Sequence, residues 1–395
     1  MFWQLFCKEL KFHFKSITYY IFIAIVVLFY FTQVNLPKGI EEIKPMSKEE
    51  VEKIVSKLPE EKRDLARVRL ENSSPRKPMT DIKMKQKAMC GHMDMEIRDK
   101  IASTYKAGFS KKVKLSDAQI NIMKEVMDKI SPKKQITEEE FVKALNQVDE
   151  ALGGGSYYGD KMRESILQKS ATYEEALEGY NAILKEDKLT NAEAREFADY
   201  MGITAGLFPI FISAFILIRD IKSGAQEIIF SKKSSSFKYV LTKYSAALVA
   251  LIVPYLIMAT HLTLIYGKIA GDNNIAIDYF AFYKYIFIWI VPTLMFVTAL
   301  GMIFAVFFRK PIVAIIVQFM LWAISITDLT MQSYSLHIIF IRYNAVTSNT
   351  EYMKWAHSIN INRMFNFVLS IVMMFLTAFI YNRRRGALGE KLSLL

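Results

Sequence analysis

The sequence predicts an all-α polytopic membrane protein with six transmembrane helices, an N-terminal amphipathic helix and a mainly helical extracellular domain. Three observations predict this class. Of the 395 residues, 52% are hydrophobic and 23% are charged, so the two kinds of residue must be segregated along the chain. The apolar residues form runs of about 20, the length that crosses a hydrocarbon core as a helix. The basic residues cluster between these runs.

The first 15 residues predict an amphipathic elbow helix ahead of the first span. Gln4, Lys8, Lys11 and Lys15 follow each other at offsets of four, three and four, and aromatic and aliphatic side chains fill the other face. Lysines beside aromatic residues favour the headgroup region, so we expect this helix to lie in the membrane interface. The alternative is that it only extends the first span.

The apolar runs and the charges between them give a topology. Fifteen Lys and Arg residues lie in the short segments on one side of the predicted membrane and five on the other, so both termini are expected in the cytoplasm. The predicted spans are residues 17–34, 200–218, 244–266, 285–308, 311–327 and 365–382.

Residues 35–199 form the predicted extracellular domain, between residues 1–34 and residues 200–395. This segment has 31 basic and 31 acidic residues, so the net charge of +12 comes from the rest of the chain. The net charge therefore reports topology, and nucleic-acid binding is a poor explanation of the basic composition. Five Ser or Thr residues, each followed three positions later by Glu or Gln, predict helix starts: Ser47, Ser116, Thr137, Thr172 and Thr190. Breaks are predicted at 73–78, 131–134 and 153–156, and the last helix should run from Thr190 into the second span.

No catalytic motif is evident. Residues 153–161 resemble a phosphate-binding loop only superficially, because Asp160 stands where lysine would reach the phosphates and Lys161 comes one residue late. The interpretation that we favour is a break or a helix cap. HExxH, GxSxG and paired CxxC motifs are absent from the sequence.

A weak candidate for a metal site lies in the extracellular domain. Met89, Cys90, His92 and Met93 are soft donors of the kind that suits copper(I). The helical spacing of Met89 and Met93 is more typical of a core stripe, so no metal is predicted. Cys7 and Cys90 would lie on opposite sides of the membrane, which excludes a disulfide between them.

Two polar residues interrupt the predicted spans. His261 and Gln318 are candidates for the translocation route, because such residues usually face other helices or a water-filled path. An interhelical hydrogen bond is the alternative that we favour for both.

Residues 219–243 are predicted to be cytoplasmic, too short for a domain and too polar for a span. The sequence around 224–230 favours a short helix with an apolar edge at Ile228, Ile229 and Phe230, which could dock in a groove on a soluble partner. A solvated basic loop is the alternative, but it would leave this edge exposed.

With these features the chain resembles the permease subunits of the type-2 ABC exporter family. The shared features are the entry helix, six spans, both ends inside and a motif after the second span. The motif is present here as Arg219 and Asp220, Gly224, Glu227, Ile228 to Phe230, and Lys243. The resemblance covers residues 1–34 and 200–395. The family often has proline and arginine after the apolar group, where this chain has residues 231–236, SKKSSS, so the partner contact can differ in detail.

The resemblance implies a permease without an ATPase site of its own. Two cytoplasmic ABC ATPase subunits and a second permease, identical or homologous, are the implied partners, together with membrane lipid in a bacterial plasma membrane. This chain would bind no cofactor, and ATP and Mg would sit on the ATPase. The residues implied to couple the ATPase to the spans are Lys222, Gly224, Glu227, Ile228, Ile229, Phe230, Lys232 and Lys233.

The function implied is efflux of an antimicrobial peptide, a drug or another amphiphile, with sodium efflux or lipid handling as alternatives. A macrolide-efflux type of permease would have only three spans after the external domain, where five are predicted here. A membrane-anchored sensor or binding protein would need no ATPase partner. A secondary ion carrier is disfavoured, because the six predicted spans contain no acidic residue.

Overall fold

The chain forms two compact units in the computed structural model, which describes residues 2–60, 62–64, 76–106, 109–223, 235–328, 334–343 and 346–393. One unit is residues 44–180. The other combines residues 1–43 with residues 181–395. Both units are mainly helical.

The main helices and the strands of the described residues are numbered in chain order. The helices are α1 (Phe2–Lys15), α2 (Ile17–Gln33), α3 (Lys48–Ser56), α4 (Ile82–Asp99), α5 (Asp117–Lys129), α6 (Glu138–Ala151), α7 (Asp160–Ile166), α8 (Tyr173–Asp187), α9 (Thr190–Leu207), α10 (Ile210–Ser213), α11 (Ile218–Lys222), α12 (Ser236–Asn273), α13 (Ala281–Tyr285), α14 (Val291–Phe308), α15 (Pro311–Asp328) and α16 (Asn349–Ser393). The strands are β1 (Arg76–Pro78), β2 (Ile101–Lys106), β3 (Phe109–Lys114) and β4 (Gln168–Ser170). A π-helical turn, Ile286–Ile290, joins α13 to α14.

Four of the five predicted helix starts in or next to the unit 44–180 are confirmed. Ser47, Ser116 and Thr137 each cap their helix reciprocally with the Glu or Gln three residues later. Thr172 and Glu175 exchange the same two hydrogen bonds, at 2.9 and 3.2 Å, ahead of α8. Local pairs of this kind form wherever the chain turns into a helix, because they satisfy amide groups that have no partner within the helix.

The unit 44–180 also contains two small antiparallel sheets. β1 pairs with β4, so part of the predicted break at 73–78 is a strand. β2 pairs with β3 from Ile101 opposite Lys114 to Lys106 opposite Phe109. The core of the unit lies among α4, α5 and α6, where buried side chains such as Phe141 and Leu145 pack together.

The predicted break at 153–156 is a tight turn after α6. Gly153, Gly154 and Gly155 all have positive φ, a backbone conformation that glycine adopts without steric cost. The Asp149 carboxylate accepts hydrogen bonds from the amide and the hydroxyl of Ser156, both at 2.6 Å, and fixes the turn.

The other unit contains the helices that can cross a membrane. Within the described residues, four helices are long and apolar enough by themselves: Thr190–Asp220, Ser236–Asn273, Ala281–Phe308 and Asn349–Arg385. α1 and α2 pass the same test as a pair bent by 64°, which gives up to five, and Pro311–Ile326 is a shorter apolar helix. The described residues thus contain four or five candidate spans by length and composition, and the count of six stays a prediction.

The helix that begins at Thr190 continues past the predicted start of the second span, as expected. The predicted capping role of Thr190 is wrong, however. Its hydroxyl donates to the Asp278 carbonyl at 3.0 Å and accepts from the Asp278 amide at 2.9 Å, so it joins the start of α9 to the segment before α13. A contact with a distant part of the chain has displaced the local pair.

Residues 334–343 form a non-helical segment that is buried at both ends and exposed at Leu336 and His337. Its carbonyl groups need partners because buried backbone cannot be left unpaired. Arg363 donates to the carbonyls of Trp289, Ile338 and Ile339, and Asn366 donates to Ile338 at 3.1 Å. Side chains of α16 thereby replace the hydrogen bonds that a helix would have made.

Gly301 lies at a close contact between helices in this unit. A Cβ atom at this position would lie 2.8 Å from the Cβ of Ser213 and 3.0 Å from the amide nitrogen of Ala214. Glycine therefore allows α14 to approach the α10 segment, as small residues do at helix interfaces in membranes.

We expect Gly301→Ala to lower the free energy of unfolding by about 2 kcal/mol, because the added methyl group overpacks this contact. Gly271→Ala is the matched control, since a Cβ there would meet nothing within 4 Å, and we expect it to be neutral or slightly stabilising. Thermal unfolding in detergent micelles would measure both. Equal melting temperatures for the two variants would contradict the close contact.

Candidate functional site

A buried cluster of charged side chains joins α1 to the two ends of the predicted coupling segment. The Glu9 carboxylate accepts a hydrogen bond from Arg219 at 2.7 Å and another from Lys243 at 2.7 Å. The Lys243 ammonium also lies 3.0 Å from Asp220. These four residues, Glu9, Arg219, Asp220 and Lys243, are called the Glu9 cluster below.

Three different elements position the Glu9 cluster. Glu9 lies on the face of α1 that packs against α12, whereas Arg219 and Asp220 lie on α11 and Lys243 lies on α12. The Lys243 side chain is only 1% exposed and that of Glu9 is 10% exposed. A buried ammonium needs a carboxylate partner, because the cost of removing an unpaired charge from water is several kcal/mol.

Aromatic rings surround these charges. The Arg219 guanidinium lies 3.6 Å from the centroid of the Phe12 ring, a cation–π contact. Tyr239 donates a hydrogen bond to Asp220 and stacks on Tyr381 with the ring centroids 5.3 Å apart. The rings limit access of water to the ion pairs, which strengthens their electrostatic attraction.

The surroundings shift the ionisation of two groups on α1. Burial raises the pKa of the Glu9 carboxyl, but attraction to Lys243 and Arg219 outweighs burial and leaves the pKa below its usual value. Burial lowers the pKa of His13 to about 4, with a further lowering by Arg219 and Lys243 and an opposing effect of Glu9. His13 is therefore neutral at pH 7, and Glu9 is ionised.

The sequence-predicted coupling residues lie mostly outside the described residues. Lys222 ends α11. The other seven fall in the segment 224–234, outside the described part of the chain: Gly224, Glu227, Ile228, Ile229, Phe230, Lys232 and Lys233. Their role in coupling stays a prediction. The structure does bring together Arg219, Asp220 and Lys243, the three flanking residues of the motif.

Both candidates for the translocation route make hydrogen bonds between helices. Nδ1 of His261, on α12, lies 2.7 Å from the Tyr30 hydroxyl on α2. The Gln318 amide, which is buried on α15, donates to the Gly206 carbonyl on α9. A role for either residue in contacting substrate stays a prediction.

The soft donors of α4 each have their own contacts in the unit 44–180. Met89 and Met93 are fully buried in the core of the unit 44–180. The Cys90 thiol lies 3.7 Å from the Met127 carbonyl, and Nδ1 of His92 lies 3.1 Å from the Tyr158 hydroxyl. Within the described residues no group of three or more His, Cys, Asp and Glu side chains could hold a metal ion, and both cysteines are free.

Sequence reasoning missed a set of buried charges on α9. Arg195 is fully buried and forms two hydrogen bonds with Asp187, at 2.8 and 3.1 Å. One turn further on, Asp199 pairs with Arg342. The predicted second span starts at residue 200 and therefore contains no acidic residue, whereas the helix begins at Thr190 and carries Arg195 and Asp199.

Glu9 itself was also missed as a partner of the motif. It lies 210 positions before Arg219 in the chain, so no local pattern connects them. One signal was available: Glu9 is the only acidic residue among the first 40. An isolated carboxylate on a basic helix indicates a specific cationic partner.

A comparison with protein families gives a match over most of the chain. A family model described as "ABC-2 family transporter protein" matches residues 98–382. No curated protein and no solved structure matches the chain.

We expect Glu9→Gln to lower the free energy of unfolding by about 3 kcal/mol, because it leaves two buried or half-buried cations with one carboxylate fewer. Glu351→Gln is the matched control: Glu351 pairs with Lys354 on an exposed surface, and its loss should cost less than about 0.5 kcal/mol. Unfolding in mixed detergent micelles would measure both variants. Equal costs would contradict the burial of the Glu9 cluster.

The lowered pKa of the buried His13 side chain predicts that part of the protein's stability depends on pH. Because its pKa in the folded state is about 4 and in the unfolded state about 6.5, the unfolded chain binds the proton first as the pH falls. This lowers the stability of the wild type by about 2 kcal/mol between pH 7 and pH 5. We expect His13→Leu to lack this loss and His357→Leu, at an exposed histidine, to retain it. A wild type and a His13→Leu variant with the same pH dependence would contradict the prediction.

Proposed function

The chain belongs to the ABC-2 family of transporter proteins, and from this premise we propose that it is the permease of an exporter driven by ATP. Membership of the family makes the chain a transmembrane permease of an ABC transporter and implies association with an ABC ATPase subunit. Family membership and the long apolar helices both indicate a multi-pass membrane protein. We infer six spans, with both termini and the coupling segment in the cytoplasm and the unit 44–180 outside.

The observation that carries the coupling mechanism is the Glu9 cluster. Arg219 precedes the segment 224–234 and Lys243 follows it, and one carboxylate on α1 holds both. When the ATPase moves that segment, the force reaches the ends of two membrane helices and the elbow helix together. A buried ion pair of this kind transmits displacement because its separation is costly.

In this proposal Glu227 makes a charged or capping contact with the ATPase, and Ile228 to Phe230 fill a groove on it. Two ATPase subunits act on two permeases, identical or homologous, with the substrate path between the permeases. ATP and Mg bind to the ATPase. Closure of the ATPase pair on ATP pushes the segment and shifts the spans, which exposes the path to the other side of the membrane.

We propose an antimicrobial peptide, a drug or another amphiphile as the substrate. The support is the separate unit 44–180, with its own core of buried side chains. A folded unit of this size is more than the export of a simple glycan requires. An amphiphile reaches a permease from the membrane, where the apolar helices offer a path of entry.

The test of coupling is Glu227→Lys in the complex with its ATPase, reconstituted in liposomes. We expect the variant to lose the stimulation of ATP hydrolysis by substrate and to hydrolyse ATP at the basal rate, because the reversed charge repels the contact site. Glu390→Lys, the same change near the C-terminus on the same predicted side, should leave stimulation intact. Membrane insertion of each variant is checked by its amount in washed membranes.

Stimulation that survives Glu227→Lys would overturn the assignment of the coupling segment. Purification of the chain from native membranes without any ATPase would overturn the export function itself and favour a membrane-anchored sensor. The two outcomes are distinct, because the first retains the partner and the second lacks it.

A further inference from the structure

We propose that the exposed face of α1 is a docking surface for anionic phospholipid headgroups. This lipid contact goes beyond the transport function. Lys8, Lys11 and Lys15 form the surface, and Trp3 is exposed at the start of the same helix. The occupant is the charged surface of the bilayer in which the protein itself resides.

The three lysines form one stripe along α1. Their spacing of three and four residues places them on the same side of the helix, and all three are exposed. Among the described residues no carboxylate pairs with any of them. Glu9, the one acidic residue of α1, is buried on the other side of the helix in its pairs with Arg219 and Lys243. The described part of the chain therefore supplies no counter-charge to the stripe, and anionic headgroups can supply one.

The bend between α1 and α2 directs this stripe toward headgroups. α2 is an almost wholly apolar helix of 17 residues, and α1 departs from it by 64°. A helix of 14 residues is about 21 Å long, so a departure of that size carries most of its length along the plane of the membrane. Trp3 is 71% exposed, and an indole on such a helix prefers the interface between headgroups and hydrocarbon.

Charge complementarity selects anionic lipid as the occupant. Anionic headgroups attract basic side chains near the surface, with a preference of about fivefold for each lysine. An apolar groove on a protein would leave the stripe without counter-charges. The exposed tryptophan and the lysines together give α1 the two components of interfacial binding, namely apolar insertion and electrostatic attraction.

The surface is connected to the Glu9 cluster through Phe12. This residue follows Lys11 in the chain, and its ring contacts the Arg219 guanidinium at 3.6 Å. Arg219 in turn donates to Glu9. A lipid that holds α1 therefore also holds the residues that flank the segment 224–234.

Quenching of Trp3 fluorescence tests the proposal in the full chain. The protein is placed in nanodiscs of phosphatidylcholine that contain 20% of either brominated phosphatidylglycerol or brominated phosphatidylcholine. The contribution of Trp3 is the difference between each protein and its Trp3→Phe counterpart. For the wild type we expect at least about threefold stronger quenching by the anionic lipid at low salt, and a decline of this preference as salt is added.

In the triple variant Lys8→Gln, Lys11→Gln, Lys15→Gln, the two brominated lipids should quench Trp3 fluorescence equally. The control Lys87→Gln, Lys124→Gln, Lys143→Gln makes the same charge change at exposed lysines of the unit 44–180 and should keep the preference. A wild type without a preference, or a triple variant that retains it, would overturn the proposal. Quenching of Trp3 by neither lipid would also overturn it and would indicate that α1 contacts a protein instead. None of these readouts involves ATP hydrolysis or transport, so the proposed function stands or falls separately.

Discussion

The arrangement of the unit formed by residues 1–43 and 181–395 depends on one carboxylate that holds two cations. Glu9 lies between Arg219 and Lys243 in a site where water has little access. Removing the charges of the Glu9 cluster from water is tolerated only if each charge has its partner in place. The ion pairs therefore specify one register of α1 against α12. Apolar packing alone would tolerate several registers, since lipid tails are as apolar as the helix surfaces.

A second set of polar contacts specifies the arrangement around α9. Arg195 joins Asp187 to the carbonyl of Thr347, and Asp199 pairs with Arg342. Arg363 is bonded instead to carbonyl groups, and it fixes the non-helical segment within the bundle. The helices are thus positioned by a few directional contacts and by close approach at small residues. These contacts explain how apolar surfaces that resemble each other find one packing.

The parts of the fold that the sequence could predict are those decided locally. Capping pairs such as Ser116 with Gln119 form within four residues, and apolar length identifies the long helices regardless of their neighbours. The capping role of Thr190 failed because Asp278, 88 positions away, competes for the same hydroxyl. For the same reason the motif around Arg219 could be found in the sequence, whereas its pairing with Glu9, 210 positions away, could not.

Because Glu9 is shared, α11 and the start of α12 are linked to each other through α1. A displacement that separated Arg219 from Lys243 would break one of the two ion pairs of Glu9 and also the pair between Asp220 and Lys243, at a cost of about 3 kcal/mol or more. A displacement that carried α1, α11 and the start of α12 together would break none of these pairs. In the exporter that we propose, the cheaper motion is therefore a rigid-body movement of these three elements, and the ATPase acts on the spans through a single block.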